Sequence, residues 1–203
     1  KASDRSAGRG VSLANNKTEL LKCFDEAFDV SFNKIVLIEE YFDATQYSIE
    51  TLSSEGKHQI IAITHMEFSG EPNFVELEHH LPALLDDTTK AAIHDYIQRA
   101  LKAFNIQVGA SHIEIRINNC GIIKMIEIAS RMGGWRNWMI QEALGIDYCQ
   151  AIFDATLGRT ITTTRTIMNK LAIVRTISNS NDFDLYLSEK SENTNIIIDM
   201  VKS

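Results

Sequence analysis

The twenty residues from His112 to Arg131, HIEIRINNCGIIKMIEIASR, restrict the fold more than any other stretch. Isoleucine alternates with polar residues at Ile113, Ile115 and Ile117, and again at Ile126 and Ile128. A period of two belongs to a β-strand with one buried face and is incompatible with the helical period. Two strands, Ser111 to Asn118 and Ile122 to Ser130, are therefore expected to fold back on each other around Cys120-Gly121. A two-residue turn there sets Glu114 directly across from Glu127. His112 and Arg116 share that face, as do Met125 and Ala129, and Ile126 and Ile128 share the buried one. Opposed carboxylates repel unless a divalent cation, or flanking Lys and Arg, compensates. Both readings stand at this point: a cation site, or a solvated polar face with Arg116 and Lys124 as partners. A three-residue loop would put the two glutamates on opposite faces.

Around this hairpin the pattern is mixed. Lys17 to Phe32 reads as an amphipathic helix through Leu20, Phe24, Ala27 and Phe28, and Lys34 to Tyr41 reads as a buried strand. Gln46 to Leu52 and His58 to Phe68 form a second hairpin about Ser53-Ser54-Glu55-Gly56, and Phe74 to His80 is a further strand closed by Pro82. Asp86 or Asp87 caps a long helix to Phe104 with an apolar stripe at Ile93, Tyr96, Ile97, Ala100, Leu101 and Phe104. Helices follow at Asn137 to Leu144 and Asp147 to Leu157. The tail from Thr160 (KLAIVRTIS, FDLYL, NIIIDMV) reads as strands of a separate unit. Without strict β-α-β alternation, the class is α+β.

Composition excludes several functions. Twenty Lys and Arg against 27 Asp and Glu leave a net charge of −7, which lacks the basic excess of nucleic-acid or anionic-membrane binders. No apolar run approaches the ~20 residues that span a bilayer. Three cysteines without a CxxC point away from a disulfide scaffold and toward a cytoplasmic setting. The opening KASDRSAGRG is no signal peptide, and a start so close to a glycine loop suggests a fragment whose natural beginning lies upstream.

Three further constellations bear on chemistry. Gly8-Arg9-Gly10, preceded by Lys1, can bring backbone N–H groups to an anion, although an isolated GxG is more often a surface turn. It lacks the GK[ST] of a Walker loop and the third glycine of a dinucleotide fingerprint. Arg131, leaving the second acidic strand, is placed to clamp a phosphate or carboxylate, and Gly133-Gly134 permits close approach beside Trp135. Ile38-Glu39-Glu40-Tyr41-Phe42 is a strand end whose backbone can read a flat purine edge.

In this order the pieces resemble the ATP-grasp superfamily, from Lys1 to about Gly158. The likeness rests on Lys1, Gly8-Arg9-Gly10-Val11, Glu39-Glu40-Tyr41-Phe42, His79-His80-Leu81-Pro82, Glu114, and Glu127 with Arg131. Within the superfamily the chain is most similar to the carboxylate–amine ligases that join L-amino acids, which share HIEIR, IEIASR and a Trp after the glycine pair. The resemblance implies two α+β subdomains whose antiparallel sheets enclose a nucleotide. Residues 1–68 would form a small lid, 69–158 the larger subdomain with the metal site, and 159–203 part of a C-terminal β-rich unit. Lys1, Gly8, Arg9 and Gly10 would hold ATP phosphates. Glu39 would accept from the adenine amino group, and the backbone of Glu40 and Phe42 would pair with the ring. Glu114 and Glu127 would ligate Mg²⁺ (or Mn²⁺), Arg131 would steady an acyl-phosphate, and His79 would lie near the reacting groups. Gly133, Gly134 and Trp135 would shape the substrate pocket.

Two positions depart from the family pattern. Gln46 stands where a ribose-binding carboxylate is usual, and Ala129 where a metal-binding Asn is frequent. The upstream domain of the family is also missing from this sequence.

The implied reaction makes an acyl-phosphate from a small-molecule carboxylate, expected to be an amino acid, and joins it to an amine; this chain alone is expected to be silent. Its partners would be those two substrates and the missing N-terminal domain, with a homo-oligomer left open. The competing readings are a non-catalytic nucleotide-binding or docking module, and an inactive fragment of a biotin-carboxylase-like or purine-synthesis ligase. A metal protein unrelated to nucleotides ranks last, because His58, His65, His79, His80, His94 and His112 show no ligand spacing beyond the adjacent pair. Cys23 and Cys149 read as core, and Cys120 as a turn residue.

Overall fold

A computed structural model describes every residue except 7, 72–73, 162, 164–169, 178 and 193–203. Asn16 opens the first helix, α1 (Lys17–Val30), by accepting from the Glu19 N–H, while Glu19 Oε2 reaches back to the Asn15 N–H. Asp4 ties off the other end, accepting from Ser31 Oγ and from the N–H groups of Phe32 and Asn33. Of α1 only Ala27 is buried.

The expected strand over Lys34 to Tyr41 does not form. The only backbone of another segment that it meets among the described residues is that of residues 1–3, through a single bridge between Ala2 and Val36 and bonds joining Lys1 with Leu37 and Ser3 with Ile35. Ile35, Leu37, Ile38 and Tyr41 are exposed. Apolar β-branched residues favour a strand only where a sheet is present to receive them.

Six strands build one antiparallel sheet. They are β1 (Thr45–Ser54), β2 (Lys57–Phe68), β3 (Glu76–Leu81), β4 (Gly109–Ile117), β5 (Ile123–Ala129) and β6 (Ala172–Arg175), in the order β5-β4-β1-β2-β3-β6. β1 and β2 close through Glu55 and Gly56, both at positive φ, the conformation a two-residue hairpin turn demands. The sheet thus runs across position 68, the boundary that the resemblance implied: β1 and β2 are central strands and go with β4 and β5. Among the described residues, 1–44 contribute no strand to the sheet. At its far edge β6 pairs with β3, so this part of the tail extends the same sheet. FDLYL, read as a strand, lies in helix α5 (Ser180–Glu192), and NIIIDMV falls outside the described residues.

Each face of the sheet has its own cover. The helix α2 (Asp87–Ala103), capped by Asp86, lays Ile93, Ile97 and Leu101 on Ile49, Ile113 and Ile115. Phe104, counted in that stripe, is exposed instead. Over the other face, α3 (Arg136–Leu144) and α4 (Tyr148–Thr156) cover Leu52, Ile61, Ala62, Leu81 and Ala110. Among the described residues no helix is long and apolar enough to cross a membrane.

Candidate functional site

The end of the α3/α4 face left uncovered by this second core is polar. The register Gln46↔Arg116, Ser48↔Glu114 and Glu50↔His112 places six polar side chains of β1 and β4 in two facing columns. On β5, Glu127 stands opposite Glu114 as the alternation predicts, but by another route. The connection is not a two-residue turn. Asn118 pairs with Ile122 across a three-residue loop, and its side-chain oxygen accepts from the N–H groups of Cys120 and Ile122. Such a loop alone would turn the glutamates to opposite faces.

A bulge between Glu114 and Ile115 restores the match, since the partner of Ile115 is Met125 and that of Glu114 is Glu127, with Ile126 left over. Met125 therefore packs on the α2 core, although the simple alternation placed it on the polar face. At the bulge the Met125 N–H donates to Tyr96 Oη of α2, which satisfies that main-chain donor.

The two carboxylates differ in surroundings. Glu114 is mostly buried, accepting from Gln46 Nε2 at 2.8 Å and facing His112 Nε2 at 3.3 Å. Glu127 is exposed, and among the described residues its carboxylate has no hydrogen-bond or ion-pair partner. The cations nearest in sequence do not neutralise the pair. Arg116 donates to Gln46 Oε1 and to the Phe42 carbonyl, and Lys124 reaches Glu40 at 3.2 Å. Both also lie over rings of the 41–42 segment, Arg116 over Tyr41 and Lys124 over Phe42. An unpaired carboxylate opposite a half-satisfied one, with the local cations drawn elsewhere, is a donor set that suits a divalent cation carrying further oxygen ligands.

Behind Glu114 lies a buried charge network that the sequence did not disclose. Glu50 is fully buried. It is hydrogen-bonded to His112 Nδ1, accepts from the Gly133 N–H at 3.2 Å, and has Arg136 Nε at 3.7 Å. Bonded at both nitrogens to carboxylates, His112 must carry a proton on each. Burial opposes that charge, but the bonds to Glu114 and Glu50 outweigh it and hold the His112 pKa at about 9. Arg136, also buried, donates to Ser48 Oγ and to His79 Nδ1, and His79 Nε2 lies 3.1 Å from Glu76. Nothing local marks Glu50 or Arg136 as special. Their only sequence signal is a charge at an inward position, Glu50 between Ile49 and Thr51 on a strand and Arg136 among apolar residues on α3.

The remaining candidate residues fall into three groups. Gly133, Trp135 and His79 come together: the Trp135 ring centroid is 5.9 Å from His79, and Trp135 itself adopts φ 57° at the start of α3. A Cβ on Gly133 would lie 2.5 Å from His112 Nδ1 and 2.6 Å from Glu50 Oε1, so this glycine closes over the buried network. Gly134 and Arg131 sit on the open rim, where Arg131, among the described residues, donates only to the neighbouring Met132 carbonyl. In the N-terminal segment Lys1 Nζ is 2.6 Å from Glu39, so two residues assigned to different ends of a nucleotide are here bound to each other. Gly8 has open space around it, whereas a Cβ on Gly10 would meet Val30 of α1 at 2.7 Å. Arg9 is exposed in the same turn. Gln46 is buried with both ends of its amide engaged by Glu114 and Arg116, so a ribose contact would require releasing one of them.

Known proteins align with this arrangement. Alanine–anticapsin ligase of Bacillus subtilis is 26% identical over 153 residues, covering 69% of this chain and 32% of that protein. An L-amino acid ligase from Bacillus licheniformis superposes with a TM-score of 0.54 at 30% identity, over 57% of this chain and 30% of its own. The biotin carboxylase domain of a Hydrogenobacter thermophilus 2-oxoglutarate carboxylase, solved with MgADP and bicarbonate, gives a TM-score of 0.70 at 20% identity. That match covers 85% of this chain and 39% of the domain and concerns the fold alone. The chain thus spans about a third of the length of the curated ligase it matches. The profile of the ATP-grasp domain matches residues 1–138, taking in the N-terminal unit, the hairpin and the buried network alike, and the chain belongs to the ATP-grasp family.

Proposed function

We propose that this chain is the nucleotide- and metal-binding portion of an ATP-dependent carboxylate–amine ligase, acting on an amino acid. The observation that carries the reading is Glu127, a carboxylate without a partner, held by a bulge directly across from Glu114. Kinship with the L-amino acid ligases supplies the substrate class.

In this reading Glu114 and Glu127 hold Mg²⁺, which neutralises phosphate charge when bound. Lys1 and the Gly8-Arg9-Gly10 turn face the phosphates, which requires Lys1 to leave Glu39. Glu39, freed, accepts from the adenine amino group, and the backbone of Glu40 and Phe42 lines the ring. Phosphoryl transfer to the substrate carboxylate needs alignment and charge neutralisation more than covalent help from the protein. Arg131 offers its guanidinium to the acyl-phosphate from the rim. His79, held by Arg136, and Trp135 beside it stand at the wall where the amino acid would sit.

Titration of MgADP into the chain tests the site. Binding is expected, and Glu127→Gln should weaken it by roughly tenfold, the cost of about 1.4 kcal/mol, without moving the melting temperature. Unchanged affinity in that variant sinks the site. In the full-length protein, ADP release that depends on an amino acid and disappears in Glu127→Ala is the expected result. Nucleotide binding without turnover over a broad carboxylate and amine panel would instead favour a binding module, a reading that the commitment of Gln46 to Glu114 and Arg116 favours.

A further inference from the structure

On the opposite face of the sheet, away from the carboxylate pair, β2 and β3 bring together residues that no sequence spacing connects. His65 pairs with His80 and Glu67 with Glu78, so the two strands present His-x-Glu and Glu-x-His side by side in antiparallel register. Side chains alternate along a strand, and all four therefore project from one face. A ligand atom from each of His65, Glu67 and His80 lies within 4.8 Å of the others. The two imidazole rings meet edge-on at 5.8 Å, and His65 Nδ1 is 4.0 Å from Glu67 Oε1.

We propose that His65, Glu67 and His80 form a Zn²⁺ site with an open fourth position. Two imidazoles and one carboxylate are the donor set of open zinc sites, and tetrahedral coordination at about 2.0–2.2 Å asks these side chains to close inward by rotamer changes alone. Glu78 supplies the orienting contact such sites need. It lies 2.7 Å from His80 Nε2 and is anchored from the other side by Arg175 Nε at 3.2 Å. With Nε2–H donated to Glu78, His80 presents the lone pair of Nδ1. Opposed Glu67 and Glu78 would repel if left alone, and Arg175 answers only Glu78. A cation at Glu67 removes the remaining conflict. The site is half-open, with the side chains of His65 and His80 28% and 26% exposed, so an ion and a water can enter. It would staple β3 to β2 where their register shifts, at Glu67/Phe68. This inference does not rest on the nucleotide reading, because none of its ligands belongs to that site.

Calorimetric titration of the metal-free chain with Zn²⁺, paralleled by Co²⁺ absorption, tests it. One equivalent should bind, with the visible bands of four-coordinate Co²⁺. His65→Gln and His80→Asn should each weaken Zn²⁺ binding by about tenfold or more while the metal-free proteins keep their melting temperatures. Losing a ligand should cost at least as much as losing an orienting partner. His94→Ala, on the exposed side of α2, and Glu127→Gln should leave the Zn²⁺ affinity unchanged. Absence of Zn²⁺ uptake, uptake indifferent to both histidine substitutions, or uptake abolished by Glu127→Gln would each overturn the site. Should either histidine variant fold poorly, Glu67→Gln serves in its place, with the same loss expected and the same indifference fatal.

Discussion

Glu50, His112 and Glu114 form a run of alternating charge in which the carboxylates keep the middle member cationic above its ordinary pKa. In the unfolded chain the imidazole returns to its ordinary value of 6.5, whereas folding raises it to about 9. His112 thus contributes stability in full below about pH 6.5 and loses it as the pH rises through 9. The groups facing it are Glu50 on β1, Glu114 on its own strand and, behind Glu50, Arg136 of α3. The urea midpoint should fall between pH 6.5 and 9, and His112→Asn should flatten that fall. A midpoint level across the range would contradict the network. Adjacent glycines give a steric counterpart. Gly133→Ala drives a methyl into His112 and Glu50 and should cost about 1–3 kcal/mol, while Gly134→Ala, with nothing within 4 Å, should stay within about 0.5 kcal/mol; equal midpoints for the two variants would refute the close approach. Sequence reading could not separate these glycines, because the difference lies in what β1 and β4 place beneath Gly133. It did set Glu114 across from Glu127, whose alternation is local, and it missed the buried Glu50 and Arg136, whose partners are distant in the chain.

At the scale of elements, the hairpin owes its geometry to a helix on the far side of the sheet. Tyr96 of α2 takes the Met125 N–H at the bulge, and the bulge brings Glu127 round to face Glu114. Tyr96→Phe leaves a partly buried donor without its acceptor and should cost about 1–3 kcal/mol. It should also lower MgADP affinity, although Tyr96 is on the α2 face; a denaturation midpoint that does not move would show that the bulge stands without it. Strands β1, β2, β4 and β5 and helices α1, α2 and α4 were legible from their periods and from the caps or turns at their ends, and α3 from the glycines that bound it. The bulge was not, since one extra residue looks identical in sequence whether a strand absorbs it or a loop does. Two short apolar runs misled for opposite reasons. Lys34 to Tyr41 has strand composition but finds no strand to pair with beyond a single bridge at Ala2, and FDLYL is too short for its period to separate strand from helix.

Across the whole molecule, residues 1–44 and the sheet hold together unequally. α1 buries a single residue and leaves Leu21, Phe24, Phe28 and Val30 exposed, while β1 and β4 lie in the middle of two cores. Native-state hydrogen exchange should find the α1 amides opening at lower free energy than those of β1 and β4. Equal protection in both would mean that the two parts open as one unit. Their joint is electrostatic: Arg116 and Lys124 leave the carboxylate face to hold Phe42 and Glu40. This division of the cations makes the hairpin a balance arm. A displacement of residues 40–42 that frees Arg116 or Lys124 would return positive charge to Glu114 and Glu127 and weaken their pull on an incoming cation. By linkage, a cation seated between the carboxylates favours the arrangement in which both side chains stay with the 40–42 segment. With the proposed cation site, metal occupancy and the posture of the first 44 residues would be two readings of one equilibrium.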